Sequence, residues 1–287
     1  MLKDLVGRNM TAMVIDENDK YVFAQREGLT FRIAKSELLK LPQAGAMITG
    51  FAYENEDHEL QMTKTEPKSG IDRYAWGTVK RVQRGLGVFV DVGLPNKDIV
   101  VSIDDLPELQ NLWPKQGDRL LVALKIDDKG RLWGELATME MVQAVGDAAT
   151  KKMMNRDVEA TVYRLKLVGS YLITRDYQLG FVHPSERERE PRLGEVVKAR
   201  VIGVRPDGTL NLSLKPRAYE AISDDAQMLL AALQHSPEGK LPYTDKSDPA
   251  DIKNYFGISK GQFKRAVGHL MKAGLVIQED GFLKLSK

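Results

Sequence analysis

The 287-residue sequence predicts a mainly β chain: three small five-stranded barrels in tandem, closed by an α+β domain of helix-turn-helix type with a β wing. One grammar of alternating apolar and polar residues recurs three times along the first 216 residues. From Ile222 onward the apolar period changes from two to about 3.6 residues, the helical value.

Each copy opens with two alternating strands around a polar or glycine-bearing turn, over residues 11–15 and 21–25, 77–82 and 87–92, and 158–165 and 170–174. Such pairs read as β-hairpins. A third short strand and an irregular stretch follow. A glycine then launches a second hairpin: Gly45 before 47–53, Gly117 before 119–126, and Gly194 before 196–204. These glycines lie 72 and 77 residues apart. The closing turns, Asn55-Glu56-Asp57, Asp128-Lys129-Gly130 and Pro206-Asp207-Gly208, use residues that tolerate turn backbone angles. Final strands are predicted over 59–63, 131–137 and 209–214. Five short strands split three plus two around an irregular connection are what an oligonucleotide-binding (OB) barrel requires. The predicted barrels span residues 1–66, 70–138 and 156–216, and 139–155, with Met, Ala and Lys but no alternation, predicts a helical linker.

Residues 222–287 predict the winged helix. An apolar helix covers 226–234, with Asp224 placed to cap or charge its N-terminus. Ser247-Asp248-Pro249 opens a second helix, through Tyr255, that stops at Gly257. A third begins at Ser259 and ends near Gly274; Phe263, Ala266, Val267, Leu270 and Met271 mark its core face. A hairpin over 275–278 and 282–285 supplies the wing.

The bulk numbers narrow the function. Apolar residues make up 43% of the chain and charged ones 29%, a globular composition. There is no cysteine, which excludes disulfides, thiolate metal sites and a cysteine nucleophile. No signal-peptide apolar region or membrane-length apolar run occurs, so a cytoplasmic protein without membrane partners is expected. The net charge is only +2, so nucleic acid would have to be held by local patches. Residues 156–216, with 11 Lys or Arg against 8 Asp or Glu, form the most basic barrel, whereas residues 1–66 carry 8 against 11. No phosphate-binding loop, zinc-protease motif or nucleophile elbow is present, and the four histidines (His58, His183, His235, His269) are spread over three modules with no metal-ligand spacing. No enzyme, metal or cofactor is expected.

Unpaired nucleic acid is held by rings that stack on bases and by cations that track phosphates. In the third barrel Tyr171, Phe181 and His183 fall on the second and third strands, with Arg164, Lys166 and Arg175 nearby. In the second, Phe89 occupies strand two after Lys80, Arg81 and Arg84. In the third helix of the winged module, Lys260, Gln262, Lys264, Arg265, His269 and Lys272 lie off the apolar face.

Gly180-Phe181-Val182-His183-Pro184-Ser185-Glu186 resembles the Gly-aromatic-Val-His-x-Ser-Glu run of the S1 RNA-binding domain, and residues 87–93 resemble its strand-two signature. The resemblance implies an OB barrel whose aromatic face binds single-stranded RNA, with Phe89, Phe181 and His183 as contacts. The second copy has Ser102 where the motif has His and Val100 where it has an aromatic. The first keeps only the Ser36-Glu37-Leu38 ending, so it is expected to pack against its neighbour or a partner. Three S1-like copies, the Lys240-to-Ser247 segment and a winged helix together resemble the conserved virulence factor B family of Gram-positive bacteria. That family implies an RNA-binding regulator of virulence or metabolic genes with no catalytic activity; the oligomeric state is not readable from the sequence, and a monomer is favoured. A winged-helix reader of DNA and a docking scaffold on ribosome or polymerase are the alternatives.

Overall fold

A computed structural model describes residues 2–216 and 223–286, so the expected onset of the helical domain at Ile222 lies outside the described residues. The chain divides into two compact units, residues 1–214 and 215–287.

The first unit holds three closed five-stranded barrels. A one-turn helix α1 (Leu2–Leu5) precedes β1 (Arg8–Glu17), β2 (Tyr21–Arg26), β3 (Leu29–Ala34), β4 (Met47–Glu54) and β5 (Leu60–Thr63). The second barrel comprises β6 (Ala75–Gln83), β7 (Gly87–Asp91), β8 (Ile99–Ser102), β9 (Arg119–Ile126) and β10 (Leu132–Leu136). The third comprises β11 (Asp157–Lys166), β12 (Gly169–Thr174), β13 (Leu179–Val182), β14 (Val196–Val204) and β15 (Leu210–Ser213). Each runs antiparallel except where its third strand meets its fifth in parallel, which closes the cylinder in the order β1-β2-β3-β5-β4 and its two equivalents. The OB topology read from the repeats is therefore present three times.

Alternation fills the interiors. Val14, Val22, Phe31, Ile33 and Met62 form the first core, Val79, Val88, Val90, Ile99 and Val101 the second, and Val162, Leu172, Val182, Leu210 and Leu212 the third. A β-bulge interrupts the first strand at the same place in all three barrels, between Val14 and Asp16, Val79 and Arg81, and Val162 and Arg164.

The segment 139–155 corrects the sequence expectation. It is helical only in α2 (Met139–Ala144) and in a single 3-10 turn at Lys151–Met153. Between them the backbone lies against the third barrel, where the Asp147 amide donates to the Tyr177 carbonyl and that of Ala149 to Gly208. Backbone groups finding partners on an adjacent barrel win over the weak helical propensity of Gly146 and Asp147.

Neighbouring barrels touch directly. Phe51 and Tyr53, on the outer face of β4, are buried with the core of the second barrel, and the Tyr53 hydroxyl donates to the Pro95 carbonyl at 2.7 Å. Packing against its neighbour, expected of the first barrel, is thus present. Between the second and third barrels, the Arg119 amide donates to the Gly194 carbonyl at 2.8 Å and that of Leu193 to Leu112 at 3.0 Å. The Leu193 side chain enters the core of the second barrel. Alongside, Arg192 grips Asp118 with two hydrogen bonds of 3.0 and 3.1 Å and also pairs with Glu195. Asp118 and Glu195 are only 7% and 8% exposed. Burial acts to raise the Glu195 carboxyl, but hydrogen bonds from Arg189 and the Arg192 amide outweigh it and hold it below the usual glutamate range.

The second unit is a winged helix, with α3 (Asp224–Gln234), α4 (Pro249–Phe256), α5 (Lys260–Lys272) and a sheet of β16 (Lys240–Leu241), β17 (Val276–Glu279) and β18 (Phe282–Leu285). Asp248 caps α4 by accepting from the Ala250 amide, and Ser259 and Gln262 cap α5 reciprocally. Of the predicted core residues of α5, Phe263, Ala266, Val267 and Leu270 are buried, but Met271, at the edge of that apolar stripe, is 46% exposed and stands outside the core. The two-residue β16 was not foreseen, since a strand that short has no period. Among the described residues no helix is long and apolar enough to cross a membrane.

The junction yields a prediction. Gly117 and Gly194 occupy equivalent left-handed positions (φ +90° and +79°), but a Cβ on Gly117 would meet nothing, whereas one on Gly194 would lie 2.9 Å from the Arg119 carbonyl oxygen. Both alanine variants should lose about 1–3 kcal/mol from backbone strain. Gly194→Ala should lose more in urea denaturation of the full chain; equal losses would show that the barrels do not press together at this point.

Candidate nucleic-acid interface

In the third barrel the bulge after Val162 sets Arg164 opposite Tyr171, Tyr171 pairs with Phe181, and Phe181 pairs with Asn211. Partners directly opposite share a face. Because their chain neighbours Leu172, Val182 and Leu212 point into the core, this row points outward. The Tyr171 and Phe181 rings meet edge to face at 5.2 Å, and Tyr163 stands 6.4 Å from Tyr171. Both members of the pair are half-buried. The Lys166 ammonium lies 5.6 Å from the Tyr171 ring centre and the Arg205 guanidinium 5.2 Å from that of Phe181, within cation–π range. Arg205 is oriented by donating from Nε to Asn211 at 2.9 Å. Gly169, at φ +147°, opens the strand here because a Cβ would strike the Phe181 ring at 2.7 Å and the Val182 carbonyl at 2.4 Å.

Two predicted members of the site stand differently from expectation. Arg175 follows the end of β12 and pairs with Glu159, four residues from Tyr171 and so roughly 13 Å along an extended chain. It does not join the row. His183 is exposed, but its Nδ1 accepts the Ser185 amide at 3.2 Å and caps the 3-10 turn Pro184–Glu186. In the second barrel Ser102 fills the same post, accepting the Asp104 amide at 3.3 Å. Replacing His by Ser in that motif keeps the cap and discards the ring.

The second barrel corrects a further expectation. Phe89 does face outward, since Val88 and Val90 on either side of it enter the core, but it is only 8% exposed. The bulge places Arg81 opposite it, and the guanidinium covers the ring at 3.4 Å from its centre. Lys80, at the bulge itself, pairs with Asp91 at 3.1 Å, and Arg84 is exposed in the hairpin turn. The same lateral row continues through Val100 to Trp133 and Lys125. The Trp133 indole donates to Asp127 at 3.2 Å. Burial acts to raise the Asp127 carboxyl, yet the amides of Arg131 and Lys129, the Arg131 guanidinium and this indole hold it at about 2.

In the first barrel the row reads Asp16, Phe23, Arg32. Arg32 lies over Tyr21 at 4.6 Å and is engaged by Glu59 and Asp57, so its charge is locally balanced. Sequence reasoning missed Tyr163, Arg205 and Trp133. Period-two alternation along the last strand of the second barrel points Trp133 outward; Tyr163 sits at a bulge, and Arg205 follows the bulge between Val201 and Gly203, where alternation breaks.

On α5, Lys264, Arg265, His269 and Lys272 are exposed, while Lys260 and Gln262 are half-buried. The wing is acidic at its tip, where Lys284 pairs with Glu279 at 3.0 Å and with Asp280 at 3.7 Å. Among the described residues no group of His, Cys, Asp or Glu is arranged to hold a metal.

Comparison with known proteins matches the chain to four family models: an S1 domain over residues 6–65, a CvfB first S1-like domain over 74–135, the second domain of virulence regulatory factor CvfB over 142–216, and a CvfB-like winged helix domain over 227–285. It is 37% identical over 289 residues to a conserved virulence factor B of Staphylococcus epidermidis, covering 99% of this chain and 96% of that protein. It is 39% identical over 276 residues to Bacillus subtilis YitL, covering 96% and 92%. Its fold matches the crystal structure of a multidomain protein with nucleic acid binding domains from Streptococcus pneumoniae, with a TM-score of 0.72, 47% identity, and 98% and 99% coverage.

The shared capping role of His183 and Ser102 can be tested without any ligand. His183→Ala should cost about 1 kcal/mol through loss of the turn cap, and His183→Ser should restore most of it. Denaturation midpoints at one pH separate the two, and an alanine variant as stable as the parent would remove the capping role.

Proposed function

The chain belongs to the conserved virulence factor B family, and from that premise we propose that it is an RNA-binding regulator that holds single-stranded RNA on its S1-type barrels to control gene expression after transcription, virulence genes included. The outward pair Tyr171 and Phe181, flanked by Arg164, Lys166 and Arg205, carries the reading. Half-exposed rings offer π-faces to any base, and the surrounding cations follow phosphates, the combination that binds unpaired strands without needing a duplex groove. The nucleic acid binding domains named for the similar pneumococcal protein support the same class of ligand. No catalytic step is assigned to the chain.

A role for the winged helix in reading duplex DNA has one observation in its favour, the exposed basic face of α5. Against it stands the acidic wing tip, which would meet a phosphate backbone with Glu279 and Asp280. We assign α5 to supplementary phosphate contacts, and the wing to none.

Loss of both rings in Tyr171→Ala, Phe181→Ala should weaken single-stranded RNA binding more than tenfold at fixed salt, since each stack is worth roughly 1–3 kcal/mol. Unchanged affinity in a folded double variant would defeat the assignment, and tighter binding to duplex DNA than to single-stranded RNA would favour the winged-helix reading. For α5, Lys264→Ala with Arg265→Ala should flatten the salt dependence of RNA binding by roughly 0.7 in log–log slope per lost phosphate contact. An identical slope would place α5 outside the RNA path.

A further inference from the structure

We infer that the second barrel carries its own nucleobase-binding subsite, built from Trp133 on its fifth strand and from the Arg81 guanidinium lying on Phe89. The inference rests on the RNA-binding reading and assigns residues that the S1 resemblance does not carry. In the third barrel the aromatic pair occupies strands two and three, but the second barrel has Val100 at the strand-three position. Across the sheet, Val100 pairs in parallel with Trp133, at the place held by Asn211 in the third barrel. The ring absent from strand three therefore reappears one strand further on, on the same outward face, between the buried residues Leu132 and Gly134.

Trp133 is held ready for stacking. Its indole N–H is fixed by Asp127, and Asp127 is itself held by Arg131 through a 2.7 Å hydrogen bond. The Arg131 guanidinium stands 5.5 Å from the indole centre. A ring whose orientation is already set loses little freedom when a base settles on it. Val100, small and only half-buried, leaves the space beside the indole low.

Phe89 cannot take a base directly, because Arg81 occupies its face. A guanidinium is planar, and planar groups stack on both sides. At 3.4 Å from the ring centre Arg81 presents its other side to solvent, with a 3.4 Å hydrogen bond to Gln83 steadying one nitrogen. The outermost surface is then a cation on an aromatic base, a platform for the π-face of a nucleobase that also carries charge toward the phosphates. Phe89 lies two strands from Trp133, roughly 10 Å at ordinary strand spacing. Two adjacent bases left stacked at about 3.4 Å cannot reach both, so neighbouring nucleotides fill this subsite only from a strand that is extended and unstacked.

The test uses the full chain and a fluorescein-labelled single-stranded RNA oligomer of mixed sequence, read by anisotropy at fixed salt, with circular dichroism confirming folding. Trp133→Ala should weaken binding by about five- to a hundredfold, and Trp133→Phe, which keeps a ring, should recover most of the loss. Arg81→Ala should weaken binding, and Arg81→Lys, which keeps the charge but not the plane, should weaken it nearly as much. Wild-type affinity in Trp133→Ala overturns the inference. Tighter binding in Arg81→Ala also overturns it, for it would make Arg81 a lid over Phe89 rather than a platform. If either result comes from a chain whose Tyr171→Ala, Phe181→Ala form has lost affinity, the RNA-binding reading survives and this subsite alone fails; a parent chain that binds no RNA ends both.

Discussion

One extra residue in the first strand of each barrel governs everything outside the cores. That strand pairs with two partners: β11 meets β14 over Asp157–Thr161 and β12 over Ala160–Lys166, and its counterparts do the same. A strand that serves both edges of a five-stranded cylinder must coil sharply, and a bulge supplies the bend. It also exchanges the faces of all residues beyond it. Without the bulge Arg164 and Arg81 would not stand opposite Tyr171 and Phe89 on the outer surface. Closing the barrel and arming its face are thus consequences of the same insertion.

Given this frame, three copies of one lateral row diverge by side chain alone. The third carries two rings among cations, the second separates its rings and lays a guanidinium over one, and the first replaces Arg by Asp16 and neutralises Arg32 with two carboxylates. The first copy has also surrendered part of its outer surface, where Tyr53 is sealed against the second barrel. The first repeat thereby serves as a supporting wall for the second.

The barrels and helices were legible because their signals are local: alternation marks a strand, a shift to 3.6 marks a helix, and Ser259 with Gln262 or Asp248 with Pro249 marks a helix start. What was not legible depends on pairing across the sheet. Nothing near Phe89 in the chain says that Arg81, eight positions earlier, will settle on its ring, and Trp133 joins the row only through a parallel bridge to Val100. The segment 139–155 departs from its local pattern for the same reason, since its amides find carbonyls on Tyr177 and Gly208, which no nearby residue announces. His183 was half legible: the motif located it, but its capping of Ser185 emerges only from the turn.

The direct seam between the second and third barrels has a mechanical meaning. Seventeen residues separate the two barrels in sequence, ample for two beads on a slack string. Instead the chain doubles back, and Gly194 and Leu193 dock on Arg119 and Leu112. The distance between the faces is set by contact, like teeth on one jaw, so lengthening the connecting chain should leave their gauge unchanged. Under the RNA-binding proposal, a flexible polymer held by one face would find the other already at a fixed reach, with the cost of alignment met when the protein folded.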